Sequence, residues 1–150
     1  MISIFDLFKI GIGPSSSHTV GPMKAAHRFV QSLQHQQLLG QVTRLQVGVY
    51  GSLALTGRGH NTDMALLLGL AGYLPETVVI EQIPQLLQQI RDSGYLPLAG
   101  GRQRIHFSEQ DLAFHSTALP EHENGMRFEA FNDEQLLLQQ TWFSPGGGFI

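Results

Sequence analysis

The spacing of apolar residues changes period repeatedly along this chain, and that alternation decides its fold class. Met23, Ala26, Val30 and Leu33 recur three or four residues apart, the repeat of one helix face. Pro22 lacks an N–H and belongs in a first turn, so the spacing predicts a helix from about Pro22 to Gln36. Leu45, Val47 and Val49 then alternate, which predicts a strand over Val42–Tyr50. The helical repeat returns in Met64, Leu67, Leu68 and Ala71, for a helix over His60–Ala71 capped by Asn61 or Thr62. Val78–Ile80 reads as a short strand, and Ile83, Leu86, Leu87 and Ile90 as a third helix stopped by Gly94. Arg104–Phe107 reads as another strand. Met126–Phe131 and Gln135–Phe143 read as a hairpin turning at Asn132, Asp133 and Glu134. The sum is an α+β domain, with helices packed on a mixed, mostly antiparallel sheet.

The totals narrow the function classes. A length of 150 residues suits one domain with a real core, so residues 1–150 read as a single unit without repeats. Only 14% of residues are charged against 42% hydrophobic, which opposes disorder and points to surface covered by a partner. The nine Lys and Arg form no stripe, so nucleic acid is not an expected partner. Apolar runs fall short of a bilayer crossing, and the N-terminus does not have the form of a signal peptide, so no membrane association and a cytoplasmic setting are expected. The sequence has no cysteine, which removes disulfides, a thiol nucleophile and a thiolate-held cluster from this chain. Lys9 and Lys24 are its only lysines, and no phosphate-binding glycine loop accompanies them, so a pyridoxal phosphate Schiff base is disfavoured. The glutamines at 31, 34, 36, 37, 85, 88 and 89 read as solvated helix surface. The closing Ser144–Ile150, SPGGGFI, ends on apolar residues and is read as a place where the natural polypeptide continues.

Three polar loops could carry chemistry. Gly13–Pro22, GPSSSHTVGP, leads into the first helix, where backbone N–H groups, the hydroxyls of Ser15, Ser16, Ser17 and Thr19, and His18 gather at a terminus that favours an anion. An ordinary N-cap needs one hydroxyl and leaves the others unexplained. The loop is not a phosphate-binding P-loop, since the Gly-Lys-Ser/Thr ending is missing. Gly57–Asp63, GRGHNTD, leads into the second helix and offers His60 for proton transfer, with Thr62 and Asp63 to cap the helix or orient an imidazole. A tight turn and cap would explain this loop if it stood alone. Leu119–Met126, LPEHENGM, contains turn-forming Asn124-Gly125 and sets His122 between two glutamates. His27, His35, His106 and His115 read as surface or structural residues, and no zinc-ligand spacing is present, so no metal site is expected in this chain.

Together, GPSSSHTVGP, GRGHNTD, LPEHENGM and SPGGGF at 144–149, with the opening ISIFDLFKIGIG and YGSLALTG at 50–57, resemble the N-terminal β domain of bacterial iron–sulfur L-serine dehydratases, also called L-serine deaminases. The resemblance covers essentially the whole chain, and the ten-residue GPSSSHTVGP is its most specific part. It implies an L-serine ammonia-lyase that removes water from L-serine and then releases ammonia to give pyruvate. It implies a 4Fe–4S cluster ligated outside this chain, on an α domain expected after residue 150, with none bound by this fragment. It implies L-serine and that α domain as partners, and a homodimer. It further implies a fold similar to the allosteric substrate-binding domain of D-3-phosphoglycerate dehydrogenase. Within that reading, Ser15, Ser16, Ser17 and Thr19 hold the substrate carboxylate or orient its neighbours. His60 is the first choice for the catalytic base and His18 the second, while Thr62, Asp63, His122 and Asn124 orient or bind.

Two other readings compete. A regulatory serine-binding module would bind serine without chemistry, and a docking scaffold would only shape an oligomer. Three separate loops of glycine, histidine and hydroxyl groups fit the scaffold poorly, because interfaces favour aromatic and aliphatic anchors.

Overall fold

The computed structural model describes residues 20–51, 61–74, 76, 80–115 and 124–143. Its first helix, α1 (Val20–His35), carries the expected apolar face: Met23, Ala26, Phe29, Val30 and Leu33 are buried, while Lys24, Arg28, Gln31 and Gln34 face solvent. Pro22 lies in the first turn, where its missing N–H has no helical partner to lose. The helix stops by a Schellman arrangement: Leu38 N donates to Leu33 O at 2.8 Å and Gln37 takes φ 58°. Strand β1 (Arg44–Gly51) follows, with Leu45, Val47 and Val49 buried on one face.

Helix α2 (Asn61–Leu70) departs from the expected single stripe. Thr62, Ala65, Leu66, Leu68, Gly69 and Leu70 are buried, and Asp63, Met64 and Leu67 are half-exposed. A helix apolar on all sides must be enclosed, and α2 is: Leu66 and Leu70 join the main core, while Ala65 and Leu68 join Met23 and Ile83 in a second cluster. Helix α3 (Ile83–Ser93) begins with Pro84 in its first turn and ends where Gly94, at φ 73°, donates its N–H to Ile90 O. Strands β2 (Tyr95–Leu98) and β3 (Gln103–His106) form a two-stranded antiparallel ribbon that buries Leu96, Leu98 and Ile105. Strands β4 (Leu112–His115), β5 (Asn124–Asn132) and β6 (Gln135–Phe143) complete the second sheet.

That sheet has four strands in the order β4-β1-β5-β6; β4 runs parallel to β1, and the other pairs are antiparallel. The α+β expectation, helices on a mixed and mostly antiparallel sheet, holds. Two strands were missed, β2 and β4, and one expected strand is corrected: Ile80 opens a 3-10 turn (Ile80–Gln82), while 78 and 79 lie outside the described residues. Among the described residues, no helix is long and apolar enough to cross a membrane.

Element directions follow from a few contacts. Strand β6 runs in the same sense as β1, because both oppose β5. Gln140 Nε2 donates to Ser32 Oγ at 2.9 Å, and the Arg28 guanidinium lies 6.0 Å from the Trp142 ring. As β6 advances α1 therefore recedes, so α1 runs against β1. Gly69 of α2 meets α1 at Met23 and Ala26, and Gly72 shares a small cavity with His27, Val30 and Gln31. Helix α2 thus runs alongside α1 in the same direction, and both helices begin at the end of the sheet where β1 finishes.

Candidate functional site

The residues flanking the four sequence segments meet at that one end. Gly51, from which the chain runs toward 57–63, pairs with Asn124, and Gly125 pairs with Phe143, the residue before 144–149. Tyr50 pairs with His115, after which the chain runs toward 119–126. Val20 and Asn61 start α1 and α2 at the same end. In open sheets with parallel neighbours, the space beyond the carboxyl ends of the strands is where ligands bind. Strands β1, β4 and β6 all present their carboxyl ends here.

Most of the residues singled out from sequence, namely Ser15, Ser16, Ser17, His18, Thr19, His60 and His122, lie outside the described residues. Thr62 is 1% exposed in the first turn of α2, a placement suited to orienting a neighbour from within the fold. Asp63 is half-buried and accepts a hydrogen bond from Met64 N at 2.9 Å, and its negative charge in a first turn opposes the helix dipole favourably. Asn124 heads β5. Asp63 also lines a cavity of about 330 Å³ together with Leu67, Ile90, Arg91, Phe107 and Leu112. Arg91 was not singled out from sequence, since an arginine in a last helical turn is ordinary helix chemistry.

A row of side chains across the sheet carries no motif in the sequence. Tyr50, His115 and Arg127 sit on β1, β4 and β5 near the same end. The Tyr50 and His115 rings stack at 4.7 Å with 14° between planes, and the Arg127 guanidinium lies 5.9 Å from the Tyr50 ring. His115 is therefore exposed, as expected, but engaged with an aromatic neighbour.

The donor set of this chain does not fit an iron–sulfur cluster, because such clusters are held by thiolates and the sequence has no cysteine. Among the described residues, no group of three or more His, Asp or Glu could hold a metal ion.

Comparison with known proteins bears on this geometry. Residues 3–150 match the family described as serine dehydratase beta chain. The chain is 54% identical to L-serine dehydratase 2 of Escherichia coli, covering 100% of this chain and 33% of that protein. Against the L-serine dehydratase of Haemophilus influenzae it is 49% identical, with the same coverage, 100% and 33%. Against that of Streptomyces coelicolor it is 46% identical over 99% of this chain and 33% of the relative. The chain spans about a third of the length of the relatives it matches. With the match running over nearly every residue, and the described residues that border the quoted motifs meeting at one end of one sheet, the chain belongs to the serine dehydratase beta chain family.

Proposed function

We propose that this chain is the β part of an L-serine ammonia-lyase, acting in the cytoplasm within a homodimer, and that it supplies substrate-binding and acid/base groups to a 4Fe–4S site held by an α part. The observation that carries the reading is the shared end of the sheet: Gly51, His115, Asn124 and Phe143 all lie where α1 and α2 begin. Family membership supplies the reaction class, and a sequence without cysteine supports a cluster held by the α part. The homodimer, the cytoplasmic setting and the likeness to the allosteric substrate-binding domain come with the family reading.

In this reading the chain has two tasks. The α-hydrogen of serine is weakly acidic, so a base must take it; His60 is the first candidate and His18 the second. The substrate carboxylate must be fixed while this happens. Ser15, Ser16, Ser17 and Thr19 are assigned to it, at the start of α1, where helix N–H groups favour negative charge. Thr62, Asp63, His122 and Asn124 orient these groups or bind the substrate. A cluster held by the α part would supply Lewis-acid help for loss of the hydroxyl.

The test uses a complete enzyme carrying this segment. Replacing the assigned base, by His60→Ala or His18→Ala, is expected to lower pyruvate formation about 100-fold or more while the iron–sulfur absorbance persists. Wild-type rates in both variants would remove these histidines from the mechanism. The 150-residue chain alone is expected to release no pyruvate from L-serine. Calorimetric binding of L-serine by the chain, with the histidine variants shifting affinity but not maximal rate, would make it a regulatory module instead.

A further inference from the structure

We propose that Tyr50, His115 and Arg127 form a receptor for the carboxylate of a small 2-oxo or 2-amino acid, on the face of the sheet turned away from α1 and α2. Strand alternation fixes that face. Leu45, Val47 and Val49 of β1 and Met126, Phe128 and Ala130 of β5 point into the core, so Tyr50 and Arg127 point the other way. His115 pairs directly with Tyr50 and shares its face.

The local sequence holds these groups in place. A Cβ at Gly48 would lie 2.8 Å from Tyr50 Cε2 and 2.9 Å from its hydroxyl oxygen, so the missing side chain lets the phenol lie flat along the sheet. The hydroxyl is thereby brought over position 48, whose register partner is Arg127. His115 stacks on the same ring. Gly125, the β5 partner of Tyr50, adds no side chain to that row.

Glu129, two residues along β5, shares the face of Arg127, yet the two make no ion pair. Arg127 Nε is shut off from solvent and has no hydrogen-bond partner, and Arg127 makes no ion pair among the described residues. A half-buried cation without an ion pair calls for an acceptor, which a ligand would reach at the open part of the guanidinium. The Tyr50 hydroxyl and the His115 imidazole in the same row can each donate a hydrogen bond. Guanidinium is planar and meets a carboxylate through two parallel N–H bonds, which favours that anion over a spherical one such as chloride. The patch stands beside the strand ends that flank the four family segments, so the probes are the acids of the proposed reaction. That choice of probes rests on the proposed function, whereas the receptor itself does not.

The experiment follows the His115 ring and Arg127 side-chain signals of this chain by NMR during titration with pyruvate, L-serine or acetate, at constant ionic strength set with sodium chloride. Saturable shifts at both residues are expected with at least one of these acids. Equal response to all three marks a bare carboxylate receptor, and preference for pyruvate or L-serine identifies the ligand. Arg127→Gln is expected to abolish the shifts, and Arg127→Lys, which keeps the charge and loses the fork, to weaken binding about 10-fold. An unchanged amide spectrum in the lysine variant guards against a loss of fold. Shifts reproduced by chloride, shifts that persist in Arg127→Gln, or no shift with any acid would overturn the proposal. None of these readouts depends on lyase activity, so a failure of the proposed function leaves them intact.

Discussion

His27 lies half-buried on α1 beside a cavity that it shares with Val30, Gln31, Gly72 and Gly100. Burial there lowers its pKa from the ordinary 6.5, and the Glu76 carboxylate offsets part of that effect. The consequence for stability has a definite sign. Well above 6.5 the imidazole is neutral in both states and contributes no slope. As pH falls through 6.5 the unfolded chain takes the proton first, so the folded state loses stability until its own lower pKa is passed. We therefore expect His27→Gln to lose less stability than the parent when urea unfolding is compared above and below that window. Equal losses would assign the acid sensitivity to other groups. None of this was visible in the sequence, where His27 read only as surface or structural: its environment is made by Gly72 and Gly100, which the chain brings up from distant positions. The Tyr50, His115 and Arg127 row was illegible for the same reason, because only the parallel pairing of β1 with β4 sets His115 beside Tyr50.

At the scale of elements, periodicity was a good guide wherever a segment was long and its faces differed. Helix α1 was expected from Pro22 to Gln36 and runs Val20–His35; β6 was expected and found at Gln135–Phe143. The missed strands are four residues each. Strand β2 contains Pro97, which opposes a strand assignment, but a two-stranded ribbon has edge positions that tolerate the missing donor. Strand β4, Leu-Ala-Phe-His, has no alternation to read. The contact between α1 and α2 was likewise invisible, and it depends on Gly69. A Cβ there would press on the Met23 carbonyl oxygen and lie 2.8 Å from the Ala26 Cβ. Backbone cannot yield as a side-chain tip does, so Gly69→Ala must push the helices apart. A loss of about 2–3 kcal/mol is expected in urea unfolding, at the upper end for overpacking. Unchanged stability would mean that the helices slide without cost. Because both helices start at the candidate site, the same change is expected to lower turnover in the complete enzyme.

In the proposed function, the sheet separates stability from function along its strands. The described residues that border the family segments lie at one end, while the other end is closed by a different set of contacts. Thr43 Oγ1 accepts a hydrogen bond from Asp133 N at 2.7 Å, holding the β5–β6 turn where Asp133 takes φ 54°. Arg44 Nη2 donates to Asp133 O at 3.3 Å, and its guanidinium lies 4.1 Å from the Phe131 ring. Strand β1 spans eight residues between these ends, roughly 25 Å at the usual strand rise. Thr43→Val keeps the branched shape and removes the acceptor, so it is expected to cost about 1 kcal/mol. Because that bond is exposed to solvent, water replaces part of it and the loss stays small. The same substitution is expected to leave turnover and KM in the complete enzyme within about twofold, since differences of a few tenths of a kcal/mol pass between well-separated sites. A Thr43 variant that lost activity without losing stability would show that the two ends are coupled through β1, and the division of labour along the sheet would have to be abandoned.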